Sequence, residues 1–184
     1  LMAGEGVVML EGMRRVPLVR PYLGLPVEAA RGIETTARAV LTIENLASFH
    51  DAARHPQAAD VLLLYTGGMP SPAWRAAFGN MLADLEPETC LHHWGDIDVG
   101  GFRIAAQLAA IVRQRAMVLA PWLMSPVVLP VEILEHAHVP TSAERDAMVE
   151  SARKAGWDEV ADALYERPIK LEQEMILPLL PSRD

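Results

Sequence analysis

Cysteine, positive charge and long apolar stretches are all scarce in this sequence of 184 residues. Its single cysteine, Cys90, allows neither an intrachain disulfide nor a zinc site built from several cysteines, so we expect a reducing, cytoplasmic environment. The formal net charge of −8 excludes a broad basic surface, so contact with nucleic acid would need a local patch or charge from elsewhere. No run of about twenty apolar residues occurs and no signal-peptide pattern begins the chain, so no membrane-spanning helix is predicted.

The sequence does contain enough apolar material for one folded domain, because 51% of its residues are hydrophobic. Residues 1–36 hold prolines and glycines without sustained periodicity, and we predict a lead-in segment there. Residues 37–184 form the predicted main domain, with a helical extension at its C-terminal end. The chain opens on Leu1 rather than methionine, so we expect a further region upstream.

Short apolar runs alternate with helical patterns from residue 37 onwards, which is the order of elements in a parallel sheet. We therefore predict an α/β fold: a Rossmann-like parallel sheet of about four strands flanked by helices, with extra C-terminal helices. One of these helices begins at Thr141 or Ser142 with Glu144 in its first turn, and stops at Gly156. The late stretch KLEQEMI is also predicted to be helical. The predicted strands are 39–43, 61–65, 90–94 and, with a weaker pattern, 121–124; the crossover helices are 45–55, 72–85 and 101–116.

Acidic residues follow two of these strands directly. Glu44 comes after the first strand, and Asp96 and Asp98 come after the third. Ligands of open parallel sheets bind at the carboxyl ends of the strands, so we expect these side chains to lie together. Gathered carboxylates repel each other unless a cation neutralises them, and hard oxygen ligands suit Mg²⁺ or Mn²⁺. The two aspartates could also form an Asx-turn and cap the following helix, and the two functions can coexist.

The ordered motifs TIEN, YTGGMPSPAWR and GDIDVGGFRI resemble the Toprim domain, in the branch that contains the topoisomerase VI A-subunit. Two positions depart from that branch, since Met69 stands where it has an aromatic residue and Val99 where it has a proline. Together with HWGDIDVGG and KLEQE, the motifs are similar to the C-terminal domain of JetD, the nuclease subunit of the bacterial Wadjet plasmid-defence system. The resemblance covers residues 40–174.

This resemblance implies a Toprim-like catalytic domain that cleaves DNA with Mg²⁺ or Mn²⁺. Carried over by motif, Glu44 is a metal ligand or the general acid/base, and Asp96 and Asp98 hold the ion against the scissile phosphate. It also implies double-stranded DNA gripped through the missing upstream region, partner subunits of the SMC-like kind, and no membrane. A homodimer is expected if both strands are cut. No tyrosine has the setting of a topoisomerase nucleophile, so we favour hydrolysis.

Several other residues are weaker candidates for the same site. Glu172 is a further acidic ligand, and Gly67, Gly68 and Arg75 are candidates for binding the substrate phosphate, although the glycines would equally supply the positive φ of a turn. His93 is a candidate base, but a packing role is the stronger interpretation, because at most one of two adjacent strand residues faces any given site.

Three rival interpretations stay open. A phosphatase of the haloacid dehalogenase type also places DxD after a strand, but ordinarily at its beginning. A fragment of a topoisomerase VI or primase would share the Toprim fold, and a covalent protein–DNA adduct would reveal the former. A non-catalytic Toprim module that docks partner subunits would lack metal affinity.

Overall fold

The fold was taken from a computed structural model, which describes residues 1–181; the last three residues of the predicted main domain, 182–184, lie outside the described residues. Two sheets and six α-helices make up this part of the chain. The strands are β1 (Met2–Ala3), β2 (Val7–Leu10), β3 (Arg14–Pro17), β4 (Ala30–Glu34), β5 (Ala39–Ile43), β6 (Val61–Tyr65), β7 (Cys90–Trp94) and β8 (Leu119–Pro121). The α-helices are α1 (Leu46–Arg54), α2 (Pro72–Leu82), α3 (Val99–Arg113), α4 (Val131–Leu134), α5 (Ser142–Ala155) and α6 (Asp158–Glu166).

The larger sheet confirms the predicted α/β class. Its strand order is β1-β6-β5-β7-β8, in which β5, β6, β7 and β8 run parallel and β1 runs antiparallel at the edge beside β6. Strand β5 is buried along its whole length, as expected for a strand covered by helices on both faces. The register aligns Ile43 with Tyr65 on one side and Trp94 on the other, so the three central strands end at the same level.

The first 36 residues are more ordered than the sequence indicated. They contribute β1 to the larger sheet and form a separate antiparallel sheet of order β3-β2-β4. The sequence pattern did not predict these strands, because each has at most five residues and they are separated by turns that contain glycine. Whether this segment is a unit apart from 37–184 stays a prediction.

Two other local predictions need correction. The fourth strand is Leu119–Pro121 rather than 121–124, because Leu123 takes a positive φ of 55° that ends the extended run. The KLEQEMI stretch is not an α-helix: it pairs with its neighbours through isolated bridges and contains only the short 3₁₀ turn Gln173–Met175. The predicted helix α5 is confirmed, with a capping box between Thr141 and Glu144 and a left-handed Gly156.

Within residues 1–181, no helix combines the length and apolar character that a membrane span requires. The helices instead pack on the sheet and on each other. Helix α3 lies between the sheet and α5, and its buried face includes Phe102, Leu108 and Val112. This packing fixes the N-terminus of α3 at the carboxyl edge of β7, where the acidic residues lie.

Candidate metal centre at the carboxyl edge of the sheet

Glu44 and Asp96 are brought into direct contact by the aligned ends of β5 and β7. The backbone N–H of Asp96 donates to Oε2 of Glu44 at 3.2 Å, and the backbone N–H of Glu44 donates to the Trp94 carbonyl at 3.1 Å. The pKa of Glu44 is raised from its ordinary 4.5 to about 7, mainly by burial and then by the negative charge of Asp96, against the opposing effect of that N–H donor. Asp98 and Glu172 raise this pKa as well. The ionised form of Glu44 is therefore disfavoured by several neighbouring negative charges.

Asp96 is anchored by the C-terminal part of the chain. The backbone N–H of Gln173 donates to Oδ1 of Asp96 at 2.7 Å. Burial raises the pKa of Asp96, the Gln173 donor opposes this shift, and the charges of Glu172, Asp98 and Glu174 add to it. The carboxyl groups thus act on one another electrostatically, which is the behaviour the sequence predicted for them.

Asp98 caps helix α3. Its Oδ1 accepts a hydrogen bond from the backbone N–H of Gly101 at 2.7 Å, and its own backbone is extended, as at other N-caps. Glycine is required at position 101, because a β-carbon built there would overlap the Asp96 carbonyl oxygen. The capping alternative is therefore observed, and it leaves Oδ2 of Asp98 without a hydrogen bond among the described residues.

Residues 170–176, which we call the C-terminal segment, cross the acidic edge. Ile97 and Leu171 exchange two backbone hydrogen bonds, at 2.8 and 3.1 Å. The side chain of Gln173 is fully buried, and its Oε1 accepts from the backbone N–H of Asn45 at 2.8 Å. Gln173 thus binds both acidic motifs, once through its backbone and once through its side chain. At the start of the segment, Lys170 pairs with Glu144 at 2.7 Å.

Sequence reasoning missed Gln173 and Asn45. Asn45 had a usable signal, because asparagine before an apolar periodic run is a good N-cap, and its side chain does accept from Ala47 and Ser48 at the start of α1. Gln173 had none, since it lies far along the chain in a stretch that was expected to be helical.

The candidate phosphate residues lie at the end of the neighbouring strand β6. Gly67 and Gly68 have φ values of 72° and 76°, so the turn requires them whether or not they bind phosphate. Arg75 is half-buried in α2, and its Nε has no hydrogen-bond partner among the described protein atoms. Neither the glycines nor Arg75 hydrogen-bonds to the acidic residues, and phosphate binding stays a prediction.

The two strand histidines differ in their surroundings. His92 stacks edge-on against Trp122 with 5.1 Å between ring centroids. His93 is fully buried, its Nδ1 lies 2.9 Å from Oγ1 of Thr42, and burial lowers its pKa to about 3. It therefore has the properties of a neutral core histidine.

The carboxylates do not form a complete metal cage. In the part of the chain that the structure describes, no three His, Cys, Asp or Glu side chains are grouped as metal ligands. Glu44, Asp96 and Asp98 each use one oxygen to accept a backbone N–H, and the other oxygen has no hydrogen bond to residues 1–181. Mg²⁺ is commonly held by only one or two carboxylates, with waters and substrate phosphate completing its shell. The donor set and its shared negative charge therefore fit Mg²⁺ or Mn²⁺.

A mostly parallel sheet with acidic residues after its central strands, closed by C-terminal helices, defines an α/β domain with an anionic edge. A family model described as Wadjet protein JetD, C-terminal, matches residues 5–180. The chain belongs to this family, and its membership relates it to the Wadjet system. A search of curated proteins found no match.

Proposed function

We propose that this domain is a divalent-metal-dependent DNA endonuclease, the plasmid-cleaving part of the Wadjet system. The observation that carries the proposal is the mutual effect of the acidic residues. Glu44 has a pKa near 7 because burial and the charges of Asp96, Asp98 and Glu172 all disfavour its ionised form. Such an arrangement is costly for a structural surface, and a cation would relieve the cost.

The roles of the residues follow from their environment. Asp96 and Asp98 would hold Mg²⁺ or Mn²⁺ through their free oxygens, and Glu172 would add negative charge beside them. A bound divalent ion supplies charge neutralisation at the phosphoryl group and a lowered pKa for its bound water. Glu44 would either add its free oxygen to the same ion or, because its pKa lies close to neutral, accept the proton of an attacking water. Gly67, Gly68 and Arg75 would contact the substrate backbone at the next strand end.

The partners are part of the same proposal. Double-stranded DNA would be gripped mainly by other parts of the protein, because the net charge of −8 gives this chain little attraction for phosphate. SMC-like Wadjet subunits would present the DNA, and a homodimer would place one site on each strand.

The first experiment is a Mn²⁺ titration followed by water-proton relaxation. Wild-type chain is compared with Asp98→Asn and with the control Glu88→Gln, an exposed carboxylate next to the start of β7 at the other end of the sheet. Loss of binding in Asp98→Asn alone supports the site. Plasmid cleavage by the full-length protein is then measured for the Glu44→Gln variant, and we expect cleavage to be abolished. A phosphatase of the haloacid dehalogenase type would keep most of its activity in this variant.

A non-catalytic docking module is the second candidate, and the lack of a preformed three-ligand cluster within residues 1–181 favours it. Equal Mn²⁺ binding by wild type and Asp98→Asn, unchanged when a short DNA duplex is added, would support that function. A covalent protein–DNA adduct would indicate instead a topoisomerase-type reaction.

A further inference from the structure

The contacts of Thr42 indicate which ring nitrogen of His93 carries the proton. The Thr42 hydroxyl lies 3.1 Å from the His92 carbonyl, which can only accept, and 2.9 Å from Nδ1 of His93, which can donate or accept. Both contacts are hydrogen bonds only if the hydroxyl donates to the carbonyl and accepts from Nδ1. Nδ1 therefore bears the hydrogen. A fully buried ring without an ion-pair partner among the described residues is neutral, so Nε2 is a proton-free acceptor.

Nε2 of His93 lies in the protein interior, where an unpaired hydrogen-bond acceptor is energetically unfavourable. His93 has no exposed surface, and Nε2 has no hydrogen-bond partner among the protein atoms of residues 1–181. Buried polar atoms are nearly always paired with protein or water. We therefore expect Nε2 to be paired with a donor other than these protein atoms.

Nε2 faces Glu44 across Gly95. A β-carbon built on Gly95 would lie 3.0 Å from Nε2 of His93 and 2.6 Å from Oε2 of Glu44. The two atoms are thus separated by no more than the sum of these distances, and glycine places no side chain between them. Oε2 is also the oxygen that accepts from the backbone N–H of Asp96.

We infer that His93 is a positioning residue for Glu44, acting through a water molecule that donates one hydrogen to Nε2 and the other to Oε2. This inference rests on the proposed function of Glu44. Both facing atoms are acceptors, and a water molecule is the small group that supplies two donors to such a pair.

The consequence is a fixed orientation of the Glu44 carboxylate. Oε2 is held from two directions, by the bridging water and by the Asp96 backbone, which leaves Oε1 directed away from this anchored side. Residues behind the ligands of a metal site commonly orient them in this way. Gly95 supports the same arrangement, because the β-carbon of an alanine at this position would crowd Oε2 of Glu44 and Nε2 of His93.

The first test is nitrogen NMR of the full chain labelled at histidine. In wild type, His93 should show a protonated Nδ1 and a proton-free Nε2. The Nε2 resonance should move in Glu44→Gln and stay in place in Glu172→Gln, the matched change at another carboxylate of the edge. A proton on Nε2, or an Nε2 resonance that is the same in wild type and Glu44→Gln, would overturn the inference.

The second test compares two replacements of His93 by Mn²⁺ titration. His93→Gln puts an amide near the former Nε2, whereas His93→Asn keeps only a group near Nδ1 for Thr42. We expect His93→Gln to bind within about twofold of wild type and His93→Asn about tenfold more weakly, the size typical of residues behind metal ligands. Equal loss in both variants would mean that the ring serves only packing. If wild type itself binds no Mn²⁺, the proposed metal site fails, and the NMR result alone decides whether His93 is linked to Glu44.

Discussion

Replacing Glu44 by glutamine should stabilise the metal-free protein, and more so at high pH. The folded-state pKa of this carboxyl is about 7 against an ordinary value of 4.5, so its ionised form is disfavoured by folding. The penalty is absent below pH 4.5, grows between pH 4.5 and 7, and is complete above pH 7. Glutamine keeps an oxygen to accept from the Asp96 N–H and carries no charge.

The magnitude follows from the same values. A pKa raised from 4.5 to about 7 corresponds to at most about 3 kcal/mol. Glu44 is only partly buried, so water screens its charge, and we reduce the effect to about 1.5 kcal/mol. The advantage of Glu44→Gln over wild type should therefore be about 1 kcal/mol larger at pH 8 than at pH 5.

The assay is urea unfolding of both proteins at the two pH values in the presence of a chelator. Glu88→Gln, which removes the same charge from an exposed position, serves as the control and should show no such pH dependence. Adding Mg²⁺ at pH 8 should stabilise wild type and narrow its difference from Glu44→Gln. A difference between wild type and Glu44→Gln that is independent of pH would refute the electrostatic reasoning.

Two further substitutions test residues that hold the acidic side chains in place, and a third tests a helix cap away from them. Gly101→Ala should cost about 1–3 kcal/mol of unfolding free energy, because its β-carbon would overlap the Asp96 carbonyl; thermal unfolding measures this. Gln173→Leu should cost about 1–3 kcal/mol by leaving the Asn45 N–H unpaired, and should weaken Mn²⁺ binding, whereas a loss of stability with unchanged binding would deny it a role in the site. Thr141→Ala should cost about 1 kcal/mol by removing a helix cap, without any effect on Mn²⁺ binding.

The central strands were the most predictable part of the fold. Strands β5, β6 and β7 have the predicted bounds, because each is a short run in which apolar residues predominate. The predicted convergence of Glu44 and Asp96 followed from this, since parallel strands that end level bring the residues after them to one edge. The local apolar pattern was sufficient to predict the strands that are buried on both faces of the sheet.

Tertiary contacts decided the rest. The lead-in strands are short and acquire their hydrogen bonds from partners distant in the chain, such as the pairing of Met2 with Leu64. The C-terminal segment has the composition of a helix, but its bonds to Ile97 and Asp96 hold it as isolated bridges followed by a short 3₁₀ turn at Gln173–Met175. The periodicity of a single sequence cannot predict this outcome, because hydrogen bonds to distant residues override the helical propensity of the segment.

The same contacts explain why the acidic edge is organised without a complete metal cage. Carboxylates at one edge repel one another, and each is fixed by its own backbone N–H donor: Asp96 for Glu44, Gln173 for Asp96, and Gly101 for Asp98. Each donor occupies one oxygen only. The N–H groups therefore fix the three side chains without consuming the oxygens a cation would use. A site built in this way is ready to accept a divalent ion together with a substrate phosphate, and its remaining ligands would come from that phosphate and from water.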